Sequence, residues 1–130
     1  MRVVDLGTVE YLAAWDAQKA ILERVRDGEE DTLVFVEHPP VLTLGANFHE
    51  ENLLFPVADY EAKGIAVHRT DRGGDVTYHG PGQLVVYPIF NLDRHGRDLH
   101  AWLRGLEEAI IATCATFGID SRRLIGRAHV

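Results

Sequence analysis

Cysteine and serine are nearly missing from this sequence, whose 130 residues include one cysteine, Cys114, and one serine, Ser121. A single cysteine excludes an internal disulfide and fits a reducing compartment. A serine outside any G-x-S-x-G pattern excludes the nucleophile turn of the serine hydrolases. No apolar run approaches the length of about 18 residues that a membrane span needs, and the N-terminus lacks the apolar centre of a signal peptide. We therefore expect a cytoplasmic protein with no membrane partner.

Positive charge is scarce as well. Lysine and arginine total 13 against 20 acidic residues, which gives a net charge of -7, whereas proteins that bind nucleic acid normally present a basic face. The seven histidines are scattered without H-E-x-x-H spacing or a cysteine pair, so no metal site is expected. The length and the 46% hydrophobic content predict a single globular domain over 1–130.

The apolar pattern predicts strands that alternate with helices. Extended segments are indicated by β-branched and aromatic residues at 3–7, 32–36, 41–45, 65–70 and 83–92. Helices are predicted from a Thr8 cap to Gly28, over 59–64, and from Asp98 to Gly118. The junction at 76–89 resembles a hairpin and predicts an antiparallel pair. The expected class is α/β (α+β), with a mixed sheet flanked by helices.

Two polar side chains fall on predicted apolar helix faces. Gln18 lies on the buried face of the first helix, where an amide is normally paired. Cys114 lies on the apolar stripe of the last helix, at 100° per residue, and we expect it to be a buried structural residue rather than a nucleophile. That stripe comprises Leu99, Trp102, Leu103, Leu106, Ile110 and Phe117.

The segment DRGGDVTYHGPGQ (71–83) has the most unusual composition. It has neither the Gly-Lys-Ser/Thr ending of a phosphate loop nor the spacing of a dinucleotide fingerprint. Its paired glycines permit a tight turn whose N–H groups can hold an oxygen. Arg72 suits a two-pronged bond to an anion, and His79 can transfer a proton near neutral pH. A hairpin whose polar residues merely stabilise turns uses the same residue types, so both interpretations stay open.

Taken together, EHPPVLTLG (37–45) and DRGGDVTYHGPGQLVVYPI (71–89) closely resemble the octanoyltransferases, also called lipoyl(octanoyl) transferases or lipoate-protein ligase B. The resemblance runs from about Asp5 to Ile119. It implies the biotin/lipoate protein ligase catalytic fold. It also implies substrate-binding positions on the acyl side, which are Arg72, Gly73, Gly74, Asp75, Val76, Thr77, Tyr78 and His79.

The resemblance also implies a reaction and partners. The family moves an octanoyl group from acyl carrier protein to a lysine of lipoyl domains, in 2-oxoacid dehydrogenase complexes and the glycine cleavage system. The group passes through a cysteine thioester beside an enzyme lysine, with no ATP, metal or other cofactor. On this basis Thr77 and His79 are expected to orient the thioester, and Val76, Leu84 and Val86 to supply apolar wall.

This chain departs from the family at the reactive residues. The family's lysine and Pro-Cys-Gly-like segments do not occur in it, and neither Lys19 nor Lys63 matches the reactive lysine. We therefore assign no catalytic residue and expect the N-terminal portion of a catalytic domain. A non-catalytic fragment that binds acyl groups or acyl carrier protein is one alternative. An ATP-dependent lipoate-protein ligase is another, although that family lacks the Gly-Pro-Gly-Gln of 80–83.

Docking of an acidic carrier protein would require local positive charge, since the chain is acidic overall. Screening over about 8 Å lets local charges dominate at contact. We expect Arg72 and the tail arginines Arg122, Arg123 and Arg127 to form this basic patch.

Overall fold

A computed structural model describes residues 1–124 of the chain. The chain divides into two compact units, Met1–Phe90 and Asn91–Val130. The first unit contains two three-stranded sheets, and the second contains the last long helix. That 1–130 forms one domain stays a prediction.

The first sheet contains β1 (Arg2–Thr8), β2 (Thr32–Glu37) and β6 (Val85–Ile89), with β2 in the middle. Strand β1 is parallel to β2, and β6 is antiparallel to it. Alternate residues of β2 are buried, so one of its faces belongs to the core. The helix α1 (Tyr11–Arg26) covers that face, and the core cluster consists of Ile21, Val25 and Val34, with Leu6, Tyr87 and Ile89 around it.

The second sheet is built around β3 (Val41–Leu44), whose four residues are all buried. Strand β4 (Ala66–Arg69) pairs with it in parallel and β5 (Val76–His79) pairs with it antiparallel. The short helix α2 (Val57–Ala62) precedes β4. The strand and helix boundaries predicted for this part of the chain are confirmed to within two residues, a normal margin for element ends.

The hairpin predicted over 76–89 is wrong. Strands β5 and β6 do not pair with each other, because β5 pairs with β3 and β6 pairs with β2. Two antiparallel pairs therefore exist, but neither joins neighbours in the sequence. The reason is that alternating apolar residues define a strand and its faces but do not select its partner strand. Pro88 lies on β6, an edge strand of the described sheet, as a proline requires.

The first helix differs from its prediction at one end only. Thr8 is the last residue of β1, and the residue before the helix is Glu10, whose side chain makes no capping hydrogen bond. Thr8 is therefore not the cap. At the other end Gly28 has φ +105°, the left-handed conformation that favours glycine just after a helix.

The second unit contains α3 (Leu99–Thr116), which begins as predicted. The Asp98 side chain accepts a hydrogen bond from the Ala101 N–H at 3.0 Å, and Gly118 with φ +73° follows the helix. The predicted burial is wrong, because no residue of α3 is buried and Phe117 is 77% exposed. Cys114 is only partly buried. An apolar stripe shows which face favours burial, but it does not supply the surface that would cover that face.

Candidate functional site

The Gly80–Gln83 segment forms a tight turn that explains its sequence. The Gln83 N–H donates to the Gly80 carbonyl at 3.1 Å, and Gly82 has φ +82°. A type II turn requires this conformation at its third residue and favours proline at its second. The turn returns the chain so that Gln83 Oε1 lies 2.5 Å from His79 Nδ1. Because an amide oxygen only accepts, Nδ1 of His79 carries a proton, and in the neutral ring Nε2 is the acceptor.

Arg72 ties the glycine segment to β3. Its Nη2 donates to the Thr43 carbonyl at 2.7 Å and to Thr43 Oγ1 at 2.8 Å, and its Nε reaches the same hydroxyl at 3.2 Å. It also donates to the carbonyls of Gly73 and Asp75. The guanidinium therefore holds a loop in place, and its expected contact with a substrate anion stays a prediction.

The atoms that lie close to Gly45 and Gly74 belong to the protein's own backbone, where segment 45–47 meets segment 72–75. The N–H groups of Gly45, Ala46 and Asn47 donate to the carbonyls of Asp75, Arg72 and Gly74, at 2.7, 2.9 and 3.1 Å. A Cβ atom on Gly45 would overlap the Gly74 carbonyl. Gly74 itself has φ +83°. Glycine at these two positions is thus explained by backbone packing within the protein.

Asp75 anchors the loop that follows β3. Its carboxylate accepts from the His49 N–H and His49 Nδ1, each at 3.2 Å, and from Asn52 Nδ2 at 2.5 Å. Desolvation acts to raise the pKa of Asp75, but the hydrogen bonds from the His49 backbone, Asn52 and the His49 ring outweigh it. The net effect is a lowered pKa.

The residues of β5 face two different sides of the sheet. Thr77 and His79 lie opposite Thr43 and Val41 in the register, whereas the alternate residues of β5 lie opposite Leu44 and Leu42. Residues that are directly opposite in an antiparallel pair point to the same face. The Thr77–His79 face is therefore separate from the face of the remaining β5 residues, Val76 and Tyr78. The eight predicted binding positions do not share one surface, and their role in binding stays a prediction.

A buried group of aromatic and imidazole side chains lies beside His79. His38 has no exposed surface; its Nδ1 is 2.7 Å from the Val9 carbonyl and its Nε2 is 3.1 Å from Tyr87 Oη. Gln18, which was expected to be a paired amide, is partly buried near this hydroxyl, and its pairing stays a prediction. The sequence assigned no function to His38, although this residue lies within EHPPVLTLG (37–45), one of the two motifs that carry the resemblance.

Burial affects both tyrosines of this group. Desolvation is the main cause that raises the pKa of Tyr87 to about 12, with a smaller contribution from the nearby Tyr11, and the nearby side chain of Gln18 acts in the opposite direction. Desolvation also raises the pKa of Tyr11. Both hydroxyls therefore keep their protons at neutral pH, and that of Tyr87 can donate to Nε2 of His38. The Tyr11 ring stacks on His68 at 6.1 Å and 19°.

Three cavities of 220 to 260 Å³ lie elsewhere in the described chain, and their linings contain no residue of 72–79. The cavity of 230 Å³ lies against β3 and β4, on the face of Leu44 and Val67, opposite the His79 face. Within residues 1–124, no cluster of three or more metal-binding side chains occurs, and no helix is long and apolar enough to span a bilayer.

The geometry agrees with the comparison to known families. A family model described as "Lipoyl protein ligase A/B catalytic domain" matches residues 10–127. The chain belongs to this family. The predicted resemblance is confirmed by the family's octanoyltransferases: the protein of Chloroflexus aurantiacus is 48% identical over 126 residues, which are 96% of this chain and 56% of that protein. The octanoyltransferase of Geobacter metallireducens is 47% identical over 131 residues, 100% of this chain and 58% of its own.

The fold of the lipoyl protein ligase family is also confirmed by a solved structure. A crystal structure of lipoate-protein ligase A bound with ATP superposes with a TM-score of 0.76 at 19% identity, and the match covers 99% of this chain and 52% of that one. At this identity the likeness shows the fold alone. The chain spans a little over half the length of the octanoyltransferases it matches.

Replacing Gly45 by alanine tests the close approach in this family member. The added methyl would meet the Gly74 carbonyl, which is backbone held by hydrogen bonds, so we expect a loss of about 1–3 kcal/mol of stability. Urea unfolding of the 130-residue chain measures it. Gly105→Ala is the matched control, because Gly105 lies in α3 with open space around it and alanine there should add about 0.5–1 kcal/mol. Equal stability of the two variants would contradict the close approach.

Arg72→Lys tests whether the guanidinium fork holds the loop. An ammonium cannot reproduce the planar set of bonds to Thr43, Gly73 and Asp75, so we expect a loss of about 2–3 kcal/mol. Arg69→Lys is the control, since Arg69 lies over the Phe48 ring at 5.5 Å and either cation can occupy that position. Thermal unfolding of both variants decides the point, and a normal Tm for Arg72→Lys would exclude the fork as the loop's anchor.

Asp75 predicts an acid-sensitive loop. Its folded pKa is below the ordinary 3.8, so its stabilising contribution is present above pH 3.8 and is lost as the pH falls through the lower folded pKa. The fall in Tm between pH 7 and about pH 3 should be smaller for Asp75→Asn than for the parent chain. Asp27→Asn, at an exposed aspartate after α1, should retain the parent's pH dependence. An equal fall in Tm for the parent and both variants would show that Asp75 does not contribute to the loss of stability in acid.

Proposed function

We propose that the protein carrying this chain is an octanoyltransferase that transfers an octanoyl group from acyl carrier protein to a lysine of lipoyl domains. The identities of 48% and 47% with octanoyltransferases support it. One observation carries the proposal: RGGDVTYHGPGQ (72–83) folds into an arrangement in which the Gly80–Gln83 turn orients the His79 ring. The turn thus connects the part of the sequence most typical of octanoyltransferases to a proton-handling side chain.

The proposed reaction has two acyl transfers. A cysteine thiolate attacks the octanoyl carbonyl, the carrier's thiol leaves, and a lysine amine of the lipoyl domain then displaces the enzyme thiol. Cys114, on α3 and partly buried, does not match the family's nucleophile segment, and neither Lys19 nor Lys63 matches its lysine. In this proposal the chain supplies the acyl-binding side and residues outside it supply the cysteine and lysine.

His79 and Thr77 have complementary places in this site. Both side chains point to the same face of β5, and Nε2 of His79 is free to accept because Nδ1 is bonded to Gln83. We assign His79 the handling of a proton at the thioester or the attacking group. Thr77, whose side chain is exposed on that face, positions the acyl end.

Partners follow from the same reaction. Acyl-carrying and lipoyl-carrying proteins are the general class, and we propose octanoyl-acyl carrier protein and the lipoyl domains of 2-oxoacid dehydrogenase complexes and the glycine cleavage system. The expected basic patch loses two members: Arg72 is bonded within its loop, and Arg123 pairs with Glu107 and Glu108. Arg122 is exposed, and Arg127 lies outside the described residues.

His79→Gln tests the proton role in the whole protein. Glutamine keeps a polar group of similar reach but transfers no proton, so kcat/KM for octanoyl transfer should fall by about 10²–10⁴-fold. Mass spectrometry of a lipoyl domain incubated with octanoyl-acyl carrier protein measures the transfer. Tyr60→Phe on α2, packed against Phe55, is the control and should match the parent. Unchanged transfer by His79→Gln would refute the assignment.

The same assay separates the alternatives. Transfer from octanoyl-acyl carrier protein without ATP supports the transferase, whereas a requirement for a free acid and ATP would favour a ligase. The 130-residue chain by itself should form no octanoyl thioester, because it lacks the matching nucleophile. A stoichiometric adduct on Cys114 would overturn this expectation, and binding without any turnover by the whole protein would favour an acyl-binding module.

A further inference from the structure

His38 is at the centre of a buried chain of hydrogen bonds. Its ring is wholly enclosed, with Nδ1 2.7 Å from the Val9 carbonyl and Nε2 3.1 Å from the Tyr87 hydroxyl. Gln18 of α1 lies near the same hydroxyl. The two hydrogen bonds therefore connect the end of β1, the end of β2 and strand β6, so the position of one ring depends on three elements of the first unit.

The bonding partners decide the state of the His38 ring. A backbone carbonyl only accepts, so Nδ1 must donate to Val9. The Tyr87 hydroxyl keeps its proton, because burial raises its pKa to about 12, and it donates to Nε2 of His38. With the Tyr87 hydroxyl as the donor, Nε2 of His38 is the acceptor of this bond and the ring carries its proton on Nδ1.

His38 also contacts the site directly. Its ring centroid is 5.9 Å from that of His79, with an angle of 58° between the rings. Gln83 Oε1 also lies 2.5 Å from His79 Nδ1. The His79 imidazole thus has two separate contacts, the tilted ring of the buried His38 and an amide supplied by the Gly80–Gln83 turn.

We propose that His38 is a positioning residue for His79, held by Val9 and Tyr87 so that its ring sets the orientation of the His79 imidazole. The proposal rests on the proposed function, because that function gives His79 its role. A histidine that only stabilised the core would make the same hydrogen bonds. The two roles are therefore distinguished by whether His38 affects the orientation of His79. Removing the Tyr87 hydroxyl, which donates to His38, should therefore change the orientation of the His79 ring as well.

Nitrogen NMR of the parent protein tests whether the His38 ring carries its proton where the hydrogen bonds to Val9 and Tyr87 require it. This test needs no variant. Long-range proton–nitrogen spectra at neutral pH should show His38 as a neutral ring with its proton on Nδ1. A ring protonated on Nε2 alone would overturn the proposal, because Nδ1 could then not donate to the Val9 carbonyl. A ring protonated on both nitrogens would overturn it as well, because Tyr87 would then accept the bond from His38 instead of donating it. This result does not depend on whether the protein transfers octanoate.

Tyr87→Phe tests whether the His38 ring sets the orientation of the His79 ring. The change keeps the aromatic ring and removes only the donor to His38, which leaves a buried acceptor that must seek another partner. The His79 ring signals should shift, and kcat for octanoyl transfer should fall by about 10- to 100-fold, the effect of misplacing a reacting group. KM for octanoyl-acyl carrier protein should change less than about twofold, since substrate contacts remain.

Tyr60→Phe is the matched control, because it removes a tyrosine hydroxyl from α2, away from this network. It should leave the His79 signals and kcat at the parent's values. Unmoved His79 signals in folded Tyr87→Phe, or a rise in KM with normal kcat, would overturn the positioning role. If the parent and Tyr60→Phe both fail to transfer octanoate, the proposed function fails, while the NMR arms still decide whether His38 positions His79.

Discussion

The hydrogen bonds between Arg72 and Thr43 are the contact on which the arrangement of the glycine segment depends. Thr43 is completely buried in the central strand of the second sheet, so the guanidinium fastens the loop to the most enclosed part of that sheet. Since the same side chain also bonds the carbonyls of Gly73 and Asp75, it fixes the loop conformation and its position together. Strand β5 then starts at a defined place and register, and that register determines the face on which Thr77 and His79 lie.

The backbone contact between segments 45–47 and 72–75 explains why the two motifs occur together. Where glycine segments precede a strand, an open anion-binding nest is a common interpretation. Here the carbonyls of Arg72, Gly74 and Asp75 accept from residues 45–47, and Gly45 provides the room for the contact. EHPPVLTLG and DRGGDVTYHGPGQ are therefore two halves of one packed unit rather than independent motifs. Their joint occurrence is explained by this contact, whichever ligand the site binds.

The two faces of the second sheet carry different kinds of side chain. Toward His79 lie Thr43, His68 and the enclosed His38, and buried hydrogen bonds specify the state of the His38 ring. Toward Leu44 and Val67 lies a cavity of 230 Å³ whose lining also includes Glu50 and Arg69. Polar networks in a low-dielectric interior specify one geometry because an unpaired member is costly. That property suits the His79 face, which must present an imidazole in one orientation.

The sequence by itself determined the element order, the caps at Asp98 and Gly118, the turn residues of 80–83 and the family, because these depend on local propensity and on short, specific motifs. The pairing of β5 with β3 and of β6 with β2 was decided only by the tertiary structure, since a strand's pattern defines its faces and not its partner. The exposure of the α3 stripe was likewise beyond the sequence. The contact of His38 with His79 joins residues 41 positions apart in the sequence, and no local pattern records a contact that the packing of sheets and helix creates.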